Sequence, residues 1–265
     1  MKPIDTFPDE SARALLGVCF DVDDTVTTDG VLDPRAYEAL FRLRDAGLTR
    51  VAVTGRPLGF AEFVARTWPV DAAVGENGAG YLARRPGGLE SGYWDPLETR
   101  VRQQETLVRI RERVARELPH VAVSSDAWAR RCDLAFDVGE HVSLPRADVD
   151  RLLALLADEG ANTSVSSIHA HAQLGDHDKA RGVKHALSAL LGLDEQSVRE
   201  RFLFVGDSGN DAAAFAWFRL TAGVANVRAH LDRLPVPPVY VARARSGAGF
   251  AEIVETVLAR RGVTR

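Results

Sequence analysis

Sulfur and lysine are scarce in this chain. It has 2 cysteines and 1 methionine, and lysine occurs only at Lys2, Lys179 and Lys184 among 33 basic residues. Cys19 and Cys132 cannot build a disulfide framework, and they match no metal-binding spacing. Cys19 sits between Val18 and Phe20, and Cys132 just before the apolar run that begins at Leu134, so buried free thiols in a reducing, cytoplasmic setting are expected. A basic excess is also missing. Acidic residues number 37 against those 33, for a net charge of −4, which argues against a nucleic-acid partner. No apolar run approaches the roughly 18 residues that cross a bilayer. The polar opening MKPIDTFPDE carries no leader pattern, so no membrane partner is expected. Neither G-x-x-x-x-G-K-[ST] nor a strand leading into G-x-G-x-x-G occurs, which disfavours P-loop and dinucleotide enzymes. There is no internal repeat and no low-complexity segment. What remains is an ordinary globular composition, 46% apolar and 26% charged, over 265 residues, enough for two unequal domains.

The hydrophobic pattern divides the chain into three stretches. Leu15 to Phe20 is a short apolar run ending in acids, the mark of a strand buried on both faces. Asp33-Pro34 starts a helix that Gly47 closes. TRVAVTGR is a second strand, Leu58 to Thr67 a second helix, and DAAVGENGAGYLA a further strand with a glycine-rich turn. Strand–helix–strand–helix–strand opens an α/β sheet with right-handed crossovers. Arg84 to Pro96 is rich in glycine and proline and reads as a boundary loop. A charged amphipathic helix comes next, over Leu97 to Leu118. Then come strand-like runs HVAVSSDAW, RRCDLAFDV and NTSVSSIHAHAQLG, with a helix over Arg146 to Asp158. The α/β pattern resumes with a helix over Lys179 to Leu191, a strand over Glu200 to Val205, further short strands at RLTAGVAN and PVYVA, and a terminal helix over Phe250 to Arg260. The expectation is an α/β core in two pieces, 1–87 and 176–265, with a small α+β unit, 88–175, inserted between them.

Chemistry in open α/β sheets sits beyond the carboxyl ends of the strands. Here those ends carry Asp21, Asp23 and Asp24, then Thr54, Gly55 and Arg56, then Asp207 and Asp211. Gathered carboxylates repel one another unless a cation sits among them. Carboxylates, water and phosphate oxygens are what Mg²⁺ prefers. The pattern points to a metal-dependent phosphoryl site, in which the side chain of Asp21 and the backbone carbonyl of Asp23 face the ion. The side chain of Asp23 is then free for proton transfer.

DVDDTVT (Asp21 to Thr27), TGR (Thr54 to Arg56), Lys179 and GDSGND (Gly206 to Asp211) resemble, in order and spacing, the four motifs of the haloacid dehalogenase superfamily. The insert after the second motif resembles the large α/β cap of the Cof-type, sucrose-phosphatase, trehalose-phosphatase and mannosyl-3-phosphoglycerate phosphatase branch. The resemblance implies a Rossmannoid α/β core with a mostly parallel sheet and an inserted α+β cap. The implied activity is a Mg²⁺-dependent phosphomonoester hydrolase that works through an aspartyl phosphate on a small organic phosphate, most naturally of a sugar or polyol. It further implies Asp21 as nucleophile, Asp23 as general acid/base, Thr54 as the hydroxyl holding the phosphoryl group, and Lys179 as the balancing cation. Asp21, Asp23, Asp207 and Asp211 become the metal set, with Asp211 reaching either the ion through water or the lysine. Asp24 departs from the glycine common at its position in that branch. A phosphomutase, or a phosphometabolite-binding protein without activity, is the alternative. A monomer or small homo-oligomer is expected.

Recognition of the leaving group falls to the remaining residues. Gly55, Arg56, Asn77 and Asn210 are candidates from the core, and Arg130, Arg131 and His171 from the insert. Arg130 and Arg131 should face opposite sides of a strand. His169 and His171 share one strand face by period two, and with Asp176 and His177 they offer a second metal set, against the plainer reading of packed or substrate-facing imidazoles. Trp94 and Trp128 are expected in the core.

Overall fold

The computed structural model describes residues 1–166 and 168–263. Its main sheet has nine strands, in the order Lys2–Pro3, Tyr240–Val241, Leu220–Gly223, Phe202–Gly206, Gly17–Asp21, Thr49–Val53, Ala72–Gly75, Gly80–Arg85 and Gly88–Tyr93. All pairings are parallel up to Ala72–Gly75, and the last two strands add as antiparallel neighbours. The central strands GVCFD and FLFVG are buried along their whole length, as strands covered on both faces must be. Alternation splits their side chains between two cores. Val18, Phe20, Leu203 and Val205 pack with Leu40, Leu43, Phe250 and Ile253 on one face. Cys19, Phe202 and Phe204 pack with Val183, Leu187 and Phe215 on the other.

Local chemistry explains the helix ends. Asp33 caps the helix Pro34–Asp45, its side chain accepting from the N–H of Arg35, with proline at the first turn. Asp178 caps Lys179–Leu191 in the same way through the N–H of Arg181, and Gly192 closes that helix in the left-handed conformation at φ 65°. The turn Glu76–Gly78 lies directly on this helix. A Cβ on Gly182 would collide with Gly78, so glycine at both positions permits the approach.

A third core lies wholly between residues 107 and 172. Leu107, Ile110 and Val114 of the helix Leu97–Glu117 meet Leu152 and Leu156 of the helix Arg146–Asp158. Both pack on a three-stranded antiparallel sheet, ordered Asn162–Val165, His169–Gln173, Asp133–Asp137.

Several sequence expectations change. The segment 84–96 is not a loop, since Gly88–Tyr93 is the edge strand of the main sheet. The expected start of the inserted unit at 88 therefore coincides with a strand of that sheet. HVAVSSDAW gives only an isolated bridge at Val123 and a 3-10 turn at Ala127–Ala129. There Ser124 and Arg130 both bond to Asp126, and this turn chemistry outcompetes a strand. NTSVSSIHAHAQLG is a hairpin of two strands, and Ser167 within it lies outside the described residues. The expected strand from Glu200 begins at Phe202, because a short helix, Glu195–Arg201, occupies the preceding residues. Trp128 is 88% exposed, not packed in the core.

Candidate active site

Asp21 ends its strand, and Asp207 comes directly after the neighbouring one, Phe202–Gly206. Parallel pairing with the same sense therefore brings both to one edge. Asp211 lies a turn beyond Asp207. Among the described residues, Asp21, Asp207 and Asp211 are the group whose side chains can jointly hold a metal ion, with ligand atoms within 4.8 Å of one another. All three are buried, and so is Lys179. The Lys179 Nζ donates to Asp21 Oδ1 at 2.5 Å and to Asp211 Oδ1 at 2.7 Å. The other oxygen of Asp211 accepts the N–H groups of Asp207 and Ser208. Asp211 thus holds the lysine and the loop. Asp207 accepts from the hydroxyl of Thr25 at 3.0 Å.

The electrostatics derive from burial. Three carboxylates face one ammonium, so two negative charges are uncompensated in a site removed from water. Burial pushes the carboxyl of Asp21 up to about 8, with Lys179 opposing and Asp211 and Asp23 reinforcing the shift. Burial also pushes Asp207 well above the usual carboxylate range, with Asp21, Asp211 and Asp24 adding to the effect. Hard oxygen donors carrying two excess charges fit a divalent cation such as Mg²⁺. Asp24 takes the left-handed conformation, φ 57°. Glycine is favoured in that conformation, and aspartate is among the residues that tolerate it.

Asp23 departs from the acid cluster. Its carboxylate takes the Nε and Nη2 of Arg56 at 3.0–3.2 Å. Arg56 also reaches Glu140 at 3.2 Å, and Glu140 lies 3.0 Å from His169 Nε2. A chain of charges thereby links the core to the insert. The Oγ1 of Thr54 accepts the N–H of Arg56, so its own proton is left to donate. The cleft above these groups is lined by Asp21, Asp23, Gly55, Arg56, His169, His171, Ser208 and Asn210, with Ser166 and Ile168 from the insert.

Other expected binding residues stand outside that lining. Arg130 is buried and tied to Asp126, Asp133 and the carbonyl of Gly55. Arg131 points outward to Glu62 and Tyr93. Both arginines precede the strand Asp133–Asp137 and do not alternate along it. Asn77 sits behind the cleft, its Oδ1 accepting from Asn210 at 3.4 Å while its Nδ2 is buried with no partner among the described residues. His169 and His171 bind Glu140 and Asp133 respectively. The histidines form no second metal group among the described residues.

The sequence reads Glu76, with Asn77 and Gly78, either as a turn facing the insert and substrate or as a plain turn, and does not foretell its role as a tether. It is fully buried, and its carboxylate accepts the N–H groups of Leu58, Arg131, Cys132 and Asp133 at 2.5–3.0 Å. One core side chain thus grips three consecutive backbone donors of the insert. Burial and Asp133 push its carboxyl up to about 7, against the pull of those N–H groups. Its position beside Asn-Gly was the only signal, and that signal reads equally as a turn. Glu76→Gln places an amide NH₂ against two N–H donors and leaves both buried and unpaired. The expected loss is about 2–4 kcal/mol of stability, read by urea unfolding. An unchanged midpoint would show that the grip does not matter.

No protein-family profile matches the chain, and no curated protein matches it. Solved structures do. Protein 0175 of Thermoplasma acidophilum superposes with a TM-score of 0.69 at 19% identity, covering 92% of this chain and 98% of its own. The sucrose-phosphatase of a Synechocystis species gives 0.65 at 19% identity, over 92% of this chain and 98% of its own. A haloacid dehalogenase-like hydrolase from Bacteroides thetaiotaomicron gives 0.64 at 17% identity, over 92% and 99%. No helix among the described residues is long and apolar enough to cross a membrane. With a largely parallel sheet that carries acids at its carboxyl edge, and a small α+β unit inserted between its halves, the chain has the fold of the haloacid dehalogenase-like hydrolases.

Proposed function

We propose that this chain is a Mg²⁺-dependent phosphomonoester hydrolase acting on a small organic phosphate, with residues beyond about 94 and up to about 175 serving as its cap. The carrying observation is the buried cluster of Asp21, Asp207 and Asp211 around a single Lys179. Its excess negative charge, buried away from water, suits a divalent cation.

Asp21 and Asp207, with the carbonyl of Asp23, would hold the ion. When bound, it supplies positive charge that keeps Asp21 ionised and offsets repulsion from a phosphate dianion. Asp21 attacks phosphorus, the ester P–O bond breaks, and the leaving oxygen takes a proton from Asp23. Asp23 then removes a proton from the water that opens the acyl phosphate and frees inorganic phosphate, reversing its role. Arg56 positions the Asp23 carboxylate from the side. Lys179 and the Thr54 hydroxyl stabilise the phosphoryl oxygens.

The cleft has a volume of about 10 Å³ in this arrangement, space for roughly one water. Substrate therefore enters with the cap swung away, and closure expels water from the reacting centre. A roof of Ser166, His169 and His171 suits a hydroxylated leaving group. The sucrose-phosphatase of the same fold was determined with sucrose and phosphate, which supports a sugar or polyol phosphate here.

The test is phosphate release from sugar, polyol, nucleotide and glycerate phosphates, with Mg²⁺ and with EDTA. Release that needs the metal and concentrates on polyhydroxylated compounds is expected. Metal-independent release, or none from folded protein, would overturn the reading.

A further inference from the structure

The acids that fit the ion do not all face the substrate cleft. That cleft, about 10 Å³, is closed over by Ser166, Ile168, His169 and His171 of the insert, and Asp207 is not on its wall. Asp207 borders a second cavity, of about 450 Å³, together with Asp24, Asp29, Arg35, His230 and Arg245. The residues on that wall come from the core, and none from the insert between about 94 and 175. The cavity meets solvent where Asp29, Ala229 and Arg245 are exposed, and its inner end is the buried Asp207.

Charge is spread unevenly over this wall. Arg35 is turned back on Asp33, its Nε and Nη2 lying 3.0 and 2.7 Å from that carboxylate. It therefore brings its own counter-ion. Arg245 and His230 are left against three carboxylates, those of Asp24, Asp29 and Asp207.

Asp24 is anchored through its backbone. Its N–H donates to Thr27 Oγ1 at 3.1 Å, and its carbonyl accepts from Asn226 Nδ2 at 2.7 Å. Its carboxylate takes no hydrogen bond among the described residues, yet its charge is felt at Asp207, whose carboxyl it helps to raise. A glycine would take the left-handed conformation of this position at less cost. What the aspartate adds is an unspent negative charge beside a buried acid, and such a charge steers a cation inward.

We propose that the divalent ion reaches Asp207 through this core cavity and not through the substrate cleft, guided by Asp24 and Asp29, so that metal exchanges while the cap is shut. The inference rests on the metal-dependent reading above and adds a route to it. Ion and organic phosphate then have separate entrances. A closed enzyme that has lost its ion is reloaded without opening the cap.

The test uses Mn²⁺ as the probe. Its dissociation is timed in stopped flow against excess chromogenic chelator, its Kd is measured by calorimetry, and the association rate follows from the two. Ala229→Trp sets an indole at the exposed mouth of the core cavity. It is expected to slow association and dissociation together by about tenfold, with Kd held within about threefold. Ser166→Trp crowds the substrate cleft instead, and both rates should stay as in the wild type. Asp24→Asn keeps a residue that tolerates the left-handed backbone. Its association rate should fall by about three- to tenfold at low salt, and the deficit should shrink at high salt. Thermal melting checks that each variant is folded. Unchanged rates in folded Ala229→Trp, or slower exchange in Ser166→Trp, overturn the inference and leave the phosphatase reading standing. Should Ala229→Trp fail to fold, the association rate of Asp24→Asn decides. A wild type that binds no Mn²⁺ overturns both.

Discussion

Asp21→Asn is expected to remove turnover, lowering kcat by about 10⁴-fold or more, while the protein stays folded. The amide cannot attack phosphorus. Its packing is nearly the same, and Lys179 keeps its 2.7 Å bond to Asp211. Stability should hold or rise at alkaline pH, and the sign comes from the direction of the shift. The Asp21 carboxyl is pushed up to about 8. A raised acid contributes stability below its ordinary pKa and loses it as pH climbs through the raised value. The metal-free wild type should therefore weaken from the usual carboxylate range up to about pH 8, and the asparagine variant should lack that part of the decline. Phosphate release on the best substrate, and thermal melts at pH 6 and 9 in EDTA, measure both parts. Turnover within tenfold of the wild type would remove Asp21 as nucleophile.

Lys179→Met should damage both activity and the fold. The ammonium is the cation that touches Asp21 and Asp211, and its side chain is wholly buried. Removing one partner of a buried ion pair costs about 3–5 kcal/mol, because the remaining charge is stranded. Those two carboxylates hold Lys179 above the usual lysine range, against burial, which pulls it down. A raised base contributes its stability below its ordinary pKa, so the wild type keeps this contribution across the neutral range. The variant loses it there. Without the ammonium, Asp21 is raised further and binds its proton more tightly in the folded state. The gap between variant and wild type should therefore widen from pH 6 to pH 9 in EDTA. Urea unfolding at the two pH values reads it, and a gap that shrinks with pH would contradict the assignment. Turnover should fall about 10²- to 10³-fold, the scale seen when a preorganised charge at a transition state is lost.

How much of this was legible in the sequence varied with the distance between partners. The acids at the strand ends were legible, because a buried strand writes itself as an apolar run. The residues just after Phe20 and Val205 then lie at one edge by the rules of parallel sheets. The helices Pro34–Asp45, Arg146–Asp158 and Lys179–Leu191 were legible as well. In the first and third of these the start signal binds a partner within four residues, as Asp33 does Arg35 and Asp178 does Arg181. Other elements left no local mark. Gly88–Tyr93 is an edge strand with little burial on either side, so its residues do not alternate. Glu195–Arg201 buries only Val198 and shows no period to read.

By itself, then, the sequence determined an α/β core and the set of acids, hydroxyl and lysine near the strand ends. The tertiary structure alone decided which of them meet. It turned Asp23 to Arg56, joined Asp211 to the lysine and loop, closed Glu76 on the backbone of residues 131–133, and set His171 against Asp133. These partners are 32 to 57 residues apart. Sheet register and the packing of the insert on the core choose among them, and a one-residue slip in register would turn the strand residues Asp133 and His171 to the opposite face.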